Sequence, residues 1–291
     1  MKENRPNSRS QLLNFAKDSY LERTSRPIYA MFFLLPFIIF YEFGTIFIKS
    51  DVFKQSPVLV DSFVWLQKVS GQIGFGSKFA MGAPPLAVII ILIALQITSG
   101  KKWSLWVVDF LPMGIECILL SVPLIVLTLM LNSLSVPNDT AQYKIENTPA
   151  QSEMFATCAS AYEEAAVEQN FLAEIVTGMG AGIYEELVFR LILICLLMLV
   201  FQDLLRFDHI NSVILAVLIS AALFSAHHHI DFISGQANPN DPFSMGKFLF
   251  RTVAGVYFAG LFAIRGFGIT AGTHIFYNII AETMNWFYFR A

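Results

Sequence analysis

The sequence predicts an all-α, polytopic integral membrane protein, with seven to eight transmembrane helices bundled around a polar intramembrane cavity. Of its 291 residues, 55% are hydrophobic and only 14% are charged, whereas soluble domains carry about 25% charged residues. Several stretches also reach the roughly 20 apolar residues that a helix needs to cross a bilayer. The net charge of −3 is too small to indicate a nucleic-acid partner.

Residues 1–26 form a basic, polar leader. Its six Lys and Arg residues stand next to the first apolar run, which favours a cytoplasmic N-terminus and the cytoplasmic membrane as the location. The apolar run that follows is too long for a signal peptide and has no small-residue cleavage site. We expect this run to stay in the protein as an anchor.

Seven apolar segments are predicted to span the membrane. Three lie in an N-terminal region (27–133), and four follow an extramembrane loop (134–170) that holds six acidic residues and one Lys. The predicted spans are 27–48, 79–98, 105–131, 171–205, 211–230, 247–264 and 267–288. Segment 171–205 is long enough to bend or split, which would make eight. Between the first two spans, 58–69 has an amphipathic pattern that suits the membrane interface.

Two adjacent glutamates and an arginine interrupt the apolar segment 171–205. A carboxylate within a bilayer costs roughly 3 kcal/mol, so this placement needs a reason. Glu186 and Arg190 are four residues apart and share a helix face, so they can neutralise each other as an ion pair. Glu185 is rotated about 100° from Glu186 and cannot use the same arginine equally well. Glu185 is therefore predicted to face a cavity, with a purely structural role for the ion pair as the alternative.

Two further pairs of residues, each with at least one polar side chain, have the same four-residue spacing. They are Phe224–His228 and His274–Asn278, and each pair projects from one face of its helix. Polar groups in membrane helices usually face the bundle interior, so three helices would direct Glu185, His228, His274 and Asn278 into one cavity. An interhelical hydrogen-bond clasp is the alternative for His274 and Asn278.

This set of side chains has the parts of a hydrolase. Glu185 would accept a proton from water, with help from His228. His274 and Asn278 carry N–H groups that suit a developing oxyanion. No serine or cysteine stands beside these residues as part of a triad, so water is expected to be the attacking group.

The order EExxxR, FxxxH and HxxxN, all in apolar segments, resembles the CAAX protease and bacteriocin-processing (CPBP) family, which is related to the type II CAAX prenyl endopeptidase. The matching residues are Glu185-Glu186-Arg190, Phe224–His228 and His274–Asn278, and YFAG at 257–260 is similar to a further family element. The resemblance covers about 171–288, and we assign 171–291 as the protease-like core.

The resemblance implies an intramembrane endopeptidase that hydrolyses a peptide bond with a glutamate-activated water. By position, it implies that Glu185 is the base and His228 its water-binding companion. It also implies that Glu186 and Arg190 hold the site together, and that His274 and Asn278 form the oxyanion pocket. The implied partners are membrane lipid and a protein or peptide substrate, with or without a lipid tail.

The histidine run at 227–229 leaves two alternatives open. A register shift of one would put His227 or His229 in the place of His228, but the spacing from Phe224 selects His228; the other two are interpreted as a helix end that meets water. No cofactor is predicted, because HExxH is absent from the sequence and three successive helical histidines point about 100° apart. Zinc bound by Glu185, His228 and His274 is the alternative.

Two non-peptidase functions compete with this hypothesis. The first is a proton-coupled transporter, in which buried Glu and His residues exchange protons. Broken helices in two related halves would favour a transporter, and no such symmetry is visible in the sequence. The second is a catalytically silent immunity or scaffold protein that keeps the polar cluster for packing.

If successive spans cross the membrane in alternating directions, His228 and His274 cannot share one site. Strict alternation puts His228 near the outer end of its helix and His274 near the inner end of its own, too far apart at 1.5 Å per residue. Either one span is re-entrant or a predicted boundary is wrong by a turn or more.

The remaining polar residues of the apolar segments receive simpler interpretations. Four acids lack a basic partner at helical spacing and are expected mostly at the interface: Glu42, Asp109, Glu116 and Glu174. Of these, Glu116 is the deepest and could line the cavity. The three cysteines, an odd number, indicate no disulfide framework and are interpreted as packing residues: Cys117, Cys158 and Cys195.

Overall fold

A computed structural model describes residues 15–48, 61–72, 82–134, 171–232, 235–238 and 241–288. Within these residues the chain is helical, apart from the connecting segments and one isolated β-bridge between Ile230 and Ala237. The helices are α1 Tyr20–Thr24, α2 Pro27–Phe47, α3 Asp61–Gln72, α4 Ala83–Ser99, α5 Phe110–Leu134, α6 Phe171–Leu204, α7 His209–Ala226, α8 Met245–Arg265 and α9 Phe267–Tyr288. A 3₁₀ turn, Val107–Asp109, leads into α5.

Five of these helices are long and apolar enough to cross a membrane: α2, the 3₁₀ turn with α5 up to Met130, α6, α7 and α8. The apolar helix α4 is shorter, with 17 residues. Helix α9 has 22 residues but carries more polar side chains. Each of the seven predicted spans is thus found as a helix, and the polytopic helical membrane bundle is confirmed.

Two predicted boundaries differ from the structure for identifiable reasons. Helix α4 begins at Ala83 instead of residue 79, with prolines in its first turn, where a missing N–H costs nothing. Helix α7 ends at Ala226, four residues before the predicted end. Beyond it, ring nitrogens of His227 and His228 contact the carbonyl oxygen of Phe224, which satisfies an acceptor left open at the helix end.

Helix α9 is the centre of the bundle. Its first nine residues, Phe267–Ile275, are all buried. Helix α9 follows α8 after a single residue, Gly266, whose φ of 77° and ψ of −179° are accessible only to glycine. This reversal lays the polar residues of α9 beside α8 and α6.

The loop 135–170, the leader up to residue 14, Cys158 and residues 79–81 lie outside the described residues, so the corresponding predictions stay open. Of the two described cysteines, Cys117 is buried in the packed core, as predicted, and Cys195 is exposed. Helix α3, Asp61–Gln72, overlaps the predicted amphipathic segment 58–69 from residue 61 onward.

Ion pairs between distant parts of the chain close one end of the bundle. Asp109 accepts two hydrogen bonds from Arg23, both at 2.9 Å. Glu116 is bound through both oxygens by Arg265, at 2.6 and 2.8 Å, and accepts a bond from Tyr20. Glu116, which is deep enough in the sequence to have lined the cavity, therefore belongs to this cluster instead. The spacing of residues along one helix could not reveal its basic partner, because Arg265 is 149 residues away in the sequence.

Arg265 joins α1, α5 and α8, so its removal is predicted to destabilise the protein. Its side chain is 6% exposed and that of Glu116 is 21% exposed. It also donates to Leu21, Thr24 and Ser25. We expect Arg265→Met to lower the free energy of unfolding by on the order of 3 kcal/mol, because a largely buried carboxylate loses its partner. Thermal unfolding in detergent measures this loss.

Lys102→Ala is the matched control. Lys102 pairs with Asp18 at 2.9 Å, but their side chains are 59% and 46% exposed, and such exposed pairs contribute little to stability. Equal unfolding midpoints for the two variants would contradict a structural role for the Arg265 cluster.

Candidate active site

Three histidine rings surround the carboxylate of Glu185. The Nε2 atoms of His227 and His228 lie 3.7 and 4.0 Å from Glu185 Oε1, and Nε2 of His274 lies 3.9 Å from Oε2. Glu185 is 6% exposed. The predicted convergence of Glu185, His228 and His274 is therefore present. The distances are too long for direct hydrogen bonds, and a small polar molecule beside them can reach both the carboxylate and a ring nitrogen.

The early end of α7 explains how these residues meet. His227 and His228 lie in the turn after Ala226, and their rings fold back towards Phe224. His274 is the eighth residue of α9, about two turns from its start. The side chains of His228 and His274 nevertheless reach the same carboxylate. Strict alternation of the predicted spans therefore does not describe how α7 and α9 are placed relative to each other.

The tautomers of His227 and His228 follow from their shared contact. Nδ1 of each ring contacts the carbonyl oxygen of Phe224, at 3.0 Å for His228, and a carbonyl can only accept a hydrogen bond. Nδ1 therefore carries the proton, and Nε2 of a neutral ring presents a lone pair to Glu185. The Glu185 carboxylate and the Nε2 atoms of His227 and His228 are then all hydrogen-bond acceptors. A hydrogen-bond donor or a cation would bind favourably between them.

Glu186 connects the predicted ion pair to His274. Its Oε1 accepts a hydrogen bond from Nδ1 of His274 at 2.8 Å, and its Oε2 lies 3.1 Å from Nε of Arg190. Glu186 and Arg190 are both 0% exposed. The approach to Arg190 is close but lacks hydrogen-bond alignment, so charge attraction holds this pair. Glu186 thereby fixes the orientation of the His274 ring.

Aromatic rings and a backbone oxygen complete the surroundings of Arg190. Its guanidinium lies 4.2 Å from the centroid of Phe224 and 5.5 Å from that of Phe258, within the range of cation–π attraction. Nη2 donates to the carbonyl of Gly255 at 3.4 Å. Phe224, predicted as a supporting residue, thus touches both Arg190 and the two histidines.

Asn278 lies one turn beyond His274 and is held against α6. Its Nδ2 donates to the carbonyl of Gly178 at 2.9 Å. A primary amide has two N–H donors, so the second stays available for another acceptor. His274 and Asn278 therefore stand together on α9, as their spacing predicted.

Helices α6 and α9 cross closely because α6 has glycines at two contact points. A Cβ on Gly178 would lie 2.9 Å from Cβ of Asn278, and one on Gly182 would lie 2.7 Å from the backbone nitrogen of Ile275. This close crossing at Gly178 and Gly182 was not predicted, although GxxxG in an apolar helix is a recognised packing signal. The crossing brings Glu185 and Glu186 against His274.

Helix α6 widens directly after the glutamates. Residues Leu187–Leu193 have π-helical geometry, which is rare and frequent at functional sites. Ser220 of α7 donates to the carbonyl of Phe189 at 2.7 Å, which compensates a backbone group in the irregular stretch. The single helix predicted at 171–205 is thus continuous but not regular.

His229 is directed away from Glu185. Its Nδ1 lies 3.1 Å from the carbonyl of Asp241, and its Nε2 lies 3.5 Å from Arg251. Burial raises the pKa of the Asp241 carboxyl, but the hydrogen bond from Lys247 and the charge of Arg251 outweigh it and hold that pKa below its usual value. The interpretation of His227 and His229 as a water-exposed helix end was wrong, because each is only 2% exposed.

The described residues include one group with the geometry of a metal site. Glu185, His227 and His228 each offer a ligand atom, and these atoms lie within 4.8 Å of one another. The group differs from the predicted zinc alternative, since His227 takes the place of His274. Two adjacent histidines can converge here because they lie in a turn and not in a continuous helix.

A family model described as "Type II CAAX prenyl endopeptidase Rce1-like" matches residues 168–280. The match contains the three predicted motifs and agrees with the resemblance inferred from them. No curated protein and no solved structure matches the chain.

The crossing of α6 and α9 generates a prediction. Gly182→Ala places a methyl group against the backbone of Ile275, so we expect a clear loss of stability, about 1–3 kcal/mol as for other overpacked cores. Thermal unfolding in detergent is the measurement. Gly260→Ala is the control, because a Cβ there meets nothing within 4 Å, and a loss of the same size in both variants would contradict the close crossing.

Proposed function

We propose that this integral membrane protein is an endopeptidase that uses water activated by Glu185. The match of residues 168–280 to the model described as "Type II CAAX prenyl endopeptidase Rce1-like" supports a membrane peptidase. The observation that supports the finer proposal is the buried Glu185 carboxylate with three imidazole nitrogens at 3.7–4.0 Å. Among the described residues, no Lys or Arg forms an ion pair with this carboxylate, and the three imidazoles beside it can share a bound water with it.

In the proposed first step, Glu185 takes a proton from water while the water oxygen attacks the carbonyl carbon of the scissile bond. His228, which is more exposed than His227, accepts the second hydrogen bond of this water through Nε2. The carbonyl oxygen becomes an oxyanion. The remaining N–H of Asn278 is one donor for it.

His274 would be the second oxyanion donor once its ring carries two protons. Its Nδ1–H is held by Glu186 at 2.8 Å, so only Nε2–H can turn to the oxyanion. The ring lies between two carboxylates: its Nε2 is 3.9 Å from Glu185, and its Nδ1 is bound to Glu186. In the second step, the proton held by Glu185 passes to the leaving amine as the carbon–nitrogen bond breaks, which regenerates the carboxylate.

We further propose a peptide or protein substrate that is cleaved near the membrane, with or without a lipid tail, and a location in the cytoplasmic membrane with the N-terminus in the cytoplasm. The apolar surroundings of the site and the basic leader support these assignments. Comparing membrane proteomes with and without the active gene, and searching for a polypeptide left uncleaved, identifies the substrate.

Replacing the base tests the proposed chemistry. In proteoliposomes with an internally quenched CAAX peptide, farnesylated and unmodified in parallel, we expect Glu185→Gln and His274→Ala to lower kcat by at least about 100-fold. Both variants are expected to insert and fold as the wild type does. Glu174→Gln is the matched control, because Glu174 lies on the same helix about three turns away and should keep full activity. Full cleavage by Glu185→Gln would refute the mechanism and favour a scaffold or transporter.

A zinc-dependent peptidase is the second candidate function. The observation that favours it is the group of Glu185, His227 and His228. Both histidines are held at Nδ1 by a carbonyl oxygen, as ligating histidines usually are. In this case Glu185 would be a ligand, and a divalent cation would satisfy the converging acceptors.

Metal removal separates the two candidates. Under the glutamate mechanism, activity survives 1,10-phenanthroline, and mass spectrometry of the purified protein finds no stoichiometric zinc. Loss of activity with the chelator, restored by Zn²⁺ in the wild type and not in His227→Ala, would favour the zinc enzyme.

A further inference from the structure

Helix α3 lies outside the matched family region and yet packs against the candidate active site. Phe63 is 2% exposed, and its ring centroid lies 5.1 Å from that of Tyr184 and 5.5 Å from that of Tyr41. Tyr184 directly precedes Glu185. Helix α3 is therefore anchored beside the carboxylate of the site by an aromatic cluster that joins it to α2 and α6.

The next aromatic residue of α3, Trp65, covers the ring of His227. The two ring centroids are 5.7 Å apart, with an edge-to-face angle of 67°. Trp65 is also stacked on Phe232 at 5.6 Å, and its indole N–H donates to Asp231 at 3.3 Å. Because His227 and Asp231 are four residues apart, Trp65 contacts both ends of the turn that follows α7.

His227 is enclosed on several sides. Phe189 lies 4.7 Å away and Phe224 5.5 Å away between ring centroids, and Nδ1 is bound to the carbonyl of Phe224. Nε2, 3.7 Å from Glu185, is the ring nitrogen left for the site. Helices α6 and α7 supply Phe189 and Phe224, and Trp65 adds the wall that comes from α3.

We propose that Trp65 is a positioning residue: it holds the His227 ring with Nε2 towards Glu185 and keeps water from one face of that ring. Its effect on cleavage rests on the proposed function, whereas its effect on the ring can be observed without a substrate. The N-terminal region of the chain thereby contributes to a site whose other described residues all lie between 178 and 278.

The first experiment measures the orientation of the ring. With ¹⁵N-labelled histidine, the chain gives signals from five rings, and the hydrogen-bonded Nδ1–H of His227 is assigned by its loss in His227→Ala. We expect this signal to exchange with solvent and broaden in Trp65→Ala, and to persist in Trp65→Phe, which keeps an aromatic wall. An unchanged signal in a folded Trp65→Ala would overturn the proposal.

The second experiment measures catalysis with the farnesylated CAAX peptide. We expect Trp65→Ala to lower kcat by about 10- to 100-fold with little change in KM, because a shift of the His227 ring would disturb the adjacent Glu185, the proposed base, in the chemical step. Trp65→Phe should stay within about threefold of wild type. Trp103→Ala, which removes an indole that is 58% exposed, is the control for loss of a tryptophan. A rise in KM alone, or equal losses in both Trp65 variants, would contradict positioning.

The two experiments distinguish an error in the proposed function from an error in the positioning role of Trp65. If the wild type cleaves no peptide but Trp65→Ala still releases the His227 ring, the proposed function is wrong and the positioning role stands. If cleavage depends on Glu185 but the Nδ1–H signal of His227 is the same in Trp65→Ala and the wild type, the proposed function is supported and the positioning role is wrong.

Discussion

Two adjacent carboxylates buried in the bundle are the constraint on which the rest of the site depends. Each is nearly or fully inaccessible to solvent, and an uncompensated buried charge is too costly to persist. Glu186 is compensated by Arg190 and by the His274 ring. Among the described residues, Glu185 has three imidazoles around it and no Lys or Arg in an ion pair with it. Glu186 links α6 to α9, and Glu185 is the acid that we propose as the base.

That division of roles requires two helices to approach unusually closely. The glycines at 178 and 182 let α6 meet α9 without intervening side chains, and small residues are the usual means of close helix contact in membranes. The Glu186–His274 bond then crosses the contact. The glutamate pair begins three residues after the second glycine, so the close-packing motif and the glutamates occupy consecutive turns of one helix.

The parts of the chain outside the family region are integrated with this core. Arg265, at the end of α8, is bound by α1 and α5, so the start of the chain supports the turn that leads into α9. On the other side, α3 packs Phe63 against Tyr184 and Trp65 against His227. The three motifs alone therefore do not define the surroundings of Glu185 and His227.

The sequence by itself determined the membrane class, the helices to within a few residues and the three polar pairs, because hydropathy and the 3.6-residue period are local properties of a chain. It also brought Glu185, His228 and His274 together in one cluster, as the structure has them. Only the tertiary structure decided that α7 stops at Ala226 and brings in His227, and that Glu116 belongs to Arg265. Trp65 is likewise a contact of the folded bundle. These depend on side-chain directions at a helix end and on contacts between helices distant in sequence, which no local period encodes.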